Sequence, residues 1–137
     1  MGFTLVTAES QEEFNINFFE WRPLLLLGEA YGWNPAGTLM DVDESWDGSY
    51  LSNDGQKITE EDSEKLAKAI EVAYEDVPAE QITDFFKHFG ETDDGYEDYY
   101  DALHNKDHNT LMMHFSGNKT FLSKFIIFLK KGEIFIH

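Results

Sequence analysis

TEEDSEKLAKAIEVAYEDVP, Thr59–Pro78, is the clearest helix in the chain, and the rest of the fold can be read outward from it. Leu66, Ile70, Ala73, Tyr74 and Val77 recur at helical spacing. Thr59 followed by Asp62 is a capping box with Asp in place of Glu, and the acids at 60–62 suit the positive end of a helix. Pro78 ends the run, because it has no N–H to continue it.

Downstream, Ala79–Phe89 sets Ile82, Phe85, Phe86 and Phe89 on one face and predicts a second helix, with Gly90 after it. Glu91–Asp101 admits either a turn at Asp94-Gly95 or a short helix over Tyr96–Leu103. Thr110–Phe115 is apolar and short, and reads as a buried strand. Phe121–Lys131 reads as a buried helix with Phe121, Leu122, Phe125, Phe128 and Leu129 inward, stopped by Gly132. Glu133–His137 is a final strand.

Upstream, Phe3–Val6 is a β-prone opening strand, and Phe14, Ile16 and Phe18 alternate with asparagines as an extended segment does. A helix follows from about Trp21, placing Pro23 in its first turn, with Gly32 as its stop. A start capped by Asn17, with Glu20 three residues on, buries Pro23 too deep and is set aside. Asn34–Lys57 reads as turns with one short strand near Ser49–Ser52. The expectation is an α+β chain, a single domain over residues 1–137, with several helices packed on a small, mostly antiparallel sheet that brings the termini together.

Charge narrows the function. The 137 residues carry 27 acidic and 10 basic side chains, net −17. Residues 1–101 hold 25 acids against 5 bases, while 102–137 hold 2 acids against 5 lysines, so one lobe is expected to carry most of the negative potential. Such a surface repels nucleic acid and anionic membranes. No apolar run approaches the roughly 20 residues of a membrane span, and Met1–Gln11 lacks the basic start of a signal peptide, so the expected setting is cytoplasmic. The absence of cysteine removes disulfides, thiol nucleophiles and thiolate metal sites.

Chemical motifs are weak. Asp43-x-Ser45-x-Asp47-Gly48 resembles half a calcium loop, but Asp54 stands where a bidentate Glu is expected. His104-x-x-x-His108 with Asp107 has metal-ligand spacing only if one helix carries both histidines. His114, inside an apolar run, reads as a core histidine. Ser116–Thr120 lacks the upstream glycine of a phosphate loop and fits a helix start capped by Asn118. No nucleophile elbow, zincin motif or dinucleotide fingerprint is present, so no cofactor and no enzymatic activity are expected.

The stronger lead is ETDDGYEDYYD, Glu91–Asp101. Asp93, Asp94, Glu97, Asp98 and Asp101 interleave with Tyr96, Tyr99 and Tyr100, and a second acidic block with Trp46 and Asp47, followed by Tyr50, extends the same chemistry. Tyrosines anchor interfaces and carboxylates steer a basic partner. The expected function is a non-enzymatic inhibitor that binds a basic protein, an immunity protein against a bacterial toxin domain. Two alternatives differ in class: a nucleic-acid mimic from a phage or mobile element that blocks a host defence enzyme, and a small metal-binding protein or enzyme.

At WRPLLLLGEAYGWNPAGT (Trp21–Thr38) and YLSNDGQKITEEDSEKLAKAIEVA (Tyr50–Ala73) the chain resembles a group of small bacterial proteins without established activity. Their pattern comprises a W-R-P helix, a Y-G-W-x-P-x-G-T turn and an S-N-D-G-Q turn before an acidic-capped helix. Phe125–Ile136 is similar to their closing aromatic segment and short apolar strand. The resemblance implies a bacterial, cytoplasmic setting and carries no catalytic residue to any position.

Overall fold

In a computed structural model, residues 2–35, 50, 56–81 and 101–137 are described. The alternation of Phe3, Leu5 and Thr7 inward builds β1 (Gly2–Thr7), which turns through Ala8–Glu12 into β2 (Glu13–Asn17). Thr7 closes that turn: its hydroxyl accepts from the Glu12 N–H at 2.9 Å, and Gln11 takes a left-handed φ of 57°. β3 (Gln56–Ile58) and β4 (Ile134–Ile136) complete an all-antiparallel sheet ordered β2-β1-β4-β3. The two ends of the chain meet as expected, with Thr4 and His137 exchanging backbone hydrogen bonds of 2.9 Å.

The sheet presents Phe3, Leu5, Ile16, Ile58, Ile134 and Ile136 to the core, whereas Thr4, Val6, Asn15 and Phe135 are half-buried or exposed. Helices α1 (Phe18–Ala30), α2 (Glu60–Asp76), α3 (His108–Phe115) and α4 (Lys119–Leu129) supply the other half of that core. Phe14 of β2 sits 5.9, 5.5 and 5.3 Å from the rings of Phe121, Phe125 and Phe128, so α4 lies across the sheet. The architecture is α+β, as the hydrophobic periodicities require.

Thr59 caps α2, its hydroxyl accepting from the Asp62 N–H at 3.1 Å, and the helix ends before Pro78. At the end of α1, Gly32 (φ +97°) donates to Glu29 O and Trp33 donates to Gly28 O, a Schellman stop that glycine adopts without strain. Gly28 has a different role. A Cβ there would stand 2.4 Å from Leu66 Cδ1 and 3.3 Å from Trp33 Cε3, so its missing side chain lets α1 approach α2. Leu66 and Trp33 are both buried and cannot swing into solvent. Gly28→Ala is expected to destabilise by about 1–2 kcal/mol, overpacking outweighing the helix propensity gained. Urea unfolding of Gly28→Ala, Leu66→Ala and the double variant checks this: the double must cost less than the sum.

Four expectations are corrected. Helix α1 begins at Phe18, three residues earlier than read, because Asn17 does cap it: its side chain accepts from the Glu20 N–H at 2.9 Å. Pro23 therefore lies inside the helix, where the cap and a fully buried apolar face (Trp21, Leu24 and Leu27) outweigh one missing backbone bond. Thr110–Phe115 is not a strand but lies in α3, because Asp107 caps it, accepting from both the N–H (3.0 Å) and the hydroxyl (2.7 Å) of Thr110. A strand forms at Gln56–Ile58, on the free side of β4, where turns are expected up to Lys57; of the segment Ser49–Ser52 only Tyr50 lies among the described residues, and it is not in a strand. Residues 79–81 are not helical, and the remainder of the expected helix to Phe89 lies outside the described residues. Asn118 does precede α4, though its side chain makes no capping bond.

Candidate functional site

Of the expected contact residues, Asp101 is the one the structure describes; Asp93, Asp94, Tyr96, Glu97, Asp98, Tyr99, Tyr100, Trp46 and Asp47 lie outside the described residues. Asp101 is exposed and lies in a helical turn that includes residues 101–104. Leu103, 2% exposed, seats that turn in the core. His104 Nε2 accepts from Arg22 Nε at 2.9 Å, tying the turn to α1. The turn stops by a Schellman pattern in which Lys106 (φ 59°) donates to Leu103 O and Asp107 donates to Ala102 O. Asp107 thus closes one helical segment and caps the next.

That corner separates His104 from His108, so they do not share a continuous helix, and among the described residues no group of three His, Asp or Glu side chains is arranged to hold a metal. The Asp43–Asp54 loop lies outside the described residues. His114 is largely buried, edge-on to Phe115 at 4.8 Å, with Nε2 3.6 Å from Glu20 Oε2, in keeping with a core histidine.

Tyr50, expected to extend the acidic surface, is fully buried. Its carbonyl accepts from Trp21 Nε1 at 2.9 Å and its hydroxyl donates to Asp62 Oδ2 at 2.5 Å. Its ring stacks on Trp33 at 6.2 Å and 18°, while Trp33 Nε1 donates to Asp62 O at 3.2 Å. Tyr50 carries φ 49°, a conformation costly for a residue with a Cβ, and these contacts hold it there. Trp21 and Trp33 of the first sequence motif and Tyr50 of the second therefore meet in one internal network that joins α1, residue 50 and α2.

Among the described residues, charges that are far apart along the chain pair in space. Lys130 pairs with Glu71, Lys131 with Glu12 at 2.7 Å, Lys106 with Glu29 at 4.0 Å and Lys57 with Glu133 at 3.6 Å. The first three join the basic C-terminal third to acids of the N-terminal part, because β4 lies inside the sheet and α4 against α2. The Glu12 carboxyl is held below its ordinary value by the hydrogen bonds from Lys131 and Ser10. Lys119 sits 4.5 Å over the Tyr74 ring. Residues 36–49, 51–55 and 82–100 hold 11 acids and one lysine, so most of the net −17 falls in those segments.

Tyr31 latches the end of α1 to the end of α2, its hydroxyl donating to Asp76 Oδ2 at 2.7 Å. Partial burial, then that bond, push the phenol well above its ordinary value. A group whose pKa is raised on folding contributes its stability in full below the unfolded value, about 10 for tyrosine, and loses it as pH rises further. Tyr31→Phe is expected to cost about 1 kcal/mol at neutral pH. Chemical denaturation from pH 7 to 11 checks the sign: the gap between wild type and variant must close at the alkaline end.

An open depression of about 440 Å³ lies beside this latch, between the Schellman turn and the outer face of α2, and includes Trp33, Lys65, Lys68 and Val72. No sequence motif marks it, because exposed lysines on an amphipathic helix read as solvated surface. No family model, curated protein or solved structure matches the chain. Among the described residues, no helix is long and apolar enough to cross a membrane.

Proposed function

We propose that the chain is a cytoplasmic, non-enzymatic inhibitor that binds a basic protein, an immunity protein neutralising a bacterial toxin domain. The observation that carries this reading is the charge balance. The net charge is −17, and most described lysines are engaged with acids or a ring of their own chain. The surplus carboxylates are therefore left for solvent or a partner. Two described features support a contact role for Asp101 and the residues before it: Asp101 is exposed, and Leu103 and the Arg22–His104 bond fix the turn it lies in. Carboxylates accelerate encounter with a cationic surface, and tyrosines supply packed anchors that survive salt.

The test is capture of partners from a bacterial lysate by the folded chain at low salt and at about 0.5 M salt. One basic protein bound at low salt, largely retained at high salt and inhibited by the chain, is the expected result. Capture of a nucleic-acid enzyme that duplex DNA displaces supports the mimic instead. No protein partner at either salt overturns the reading.

A further inference from the structure

In a chain with 27 carboxylates and nine lysines, a lysine without an acid beside it is the exception. Lys57, Lys65, Lys106, Lys130 and Lys131 each meet a glutamate, and Lys119 covers a tyrosine ring. Lys68 and Lys124 have no carboxylate within ion-pair distance among the described residues, and of the two it is Lys68 that stands at the depression beside α2. The walls there are fixed: Trp33 is anchored through its indole N–H to Asp62 O and stacked on Tyr50, and Tyr31 is held by Asp76. Gly32 leaves one side open, since no atom lies within 4 Å of where its Cβ would be. Val72 is 59% exposed, an apolar side chain on the outer face of a helix whose other exposed positions are charged.

Preformed apolar walls, a volume in the range of ligand sites and one uncommitted cation define a chemistry. We propose that this depression binds a carboxylate carried on an aromatic or aliphatic body. Val72 and the Tyr31 ring take the body, over the small exposed edge of Trp33. Lys68 takes the carboxylate, with Lys65 in the second position because Glu61 already holds it at 2.8 Å. The net charge of −17 opposes an anion, so binding of one here is a local property of the depression. The site is independent of the toxin reading, and its success or failure leaves that reading untouched.

The experiment is a ¹⁵N–¹H NMR titration of the whole chain with phenylacetate, run beside phenethylamine, a cation of similar shape. Shifts confined to Gly32, the Trp33 indole N–H, Lys68, Ala69 and Val72 are expected, saturating with a Kd on the order of 1–10 mM for so small a probe. Phenethylamine should not saturate these positions. Lys68→Gln should weaken phenylacetate at least about threefold while the other amide positions stay unchanged, which reports an intact fold. The proposal is overturned if phenylacetate shifts nothing at these residues, if the amine binds equally well, or if Lys68→Gln leaves the affinity unaltered.

Discussion

Trp21→Ala is expected to lower the unfolding free energy by about 4 kcal/mol, a large fraction of the roughly 5–15 kcal/mol that holds a domain together. The indole is fully buried, between the Phe3 ring of β1 and the Phe125 ring of α4, each 6.2 Å away. Removing it opens a cavity where sheet, α1 and α4 meet. It also takes away the donor to the Tyr50 carbonyl, whose residue holds an unfavourable left-handed conformation and bonds to Asp62. Trp21→Phe separates the two losses, since it keeps most of the apolar volume and drops only the N–H, and should cost about 1–3 kcal/mol. Urea unfolding followed by far-UV circular dichroism reads both without relying on the fluorophore being removed. A cost below about 1.5 kcal/mol for Trp21→Ala would place the indole outside the core.

What the sequence disclosed and what it concealed divide along a physical line. Thr59-x-x-Asp62 was legible because the cap, the acids and the apolar spacing of Leu66, Ile70 and Ala73 all point to one helix. The last strand was legible because Gly132, at φ +110°, marks the turn before a short alternating run. Asp107 was not, because local sequence shows a turn but cannot show that the residue ending one helical segment also caps another. Pro23 misled for a similar reason: its local cost is real, and only the burial of Trp21, Leu24 and Leu27 shows what exceeds it. Tyr50 sat beside an acidic block and read as surface, and the partners that bury it, Trp21, Trp33 and Asp62, are 12 to 29 residues away. Strand order, not chain order, decides which described charges become neighbours, which is why Lys130 and Lys131 meet Glu71 and Glu12.

Tyr99→Ala combined with Tyr100→Ala is expected to weaken partner binding about 10²- to 10³-fold, nearly all of it in a faster koff. Buried aromatic anchors break late, so their loss shortens the complex's lifetime without altering the long-range field that guides encounter. Neutralising Asp93, Asp94, Glu97 and Asp98 to their amides should do the opposite: kon falls about tenfold or more at low salt, and the difference fades near 0.5 M as screening shortens the field. Surface plasmon resonance over a salt series separates the two. The contact assignment is lost if neither set changes affinity or its salt dependence. Asp101→Asn supplies the internal control. Its carbonyl accepts the Asn105 N–H whatever the side chain, and Leu103 still seats the turn, so the fold is kept and one exposed charge is removed. A small drop in kon with unchanged koff from this one substitution ties the steering charge to the rigid end of the acidic stretch; a change in koff instead makes Asp101 part of the packed contact.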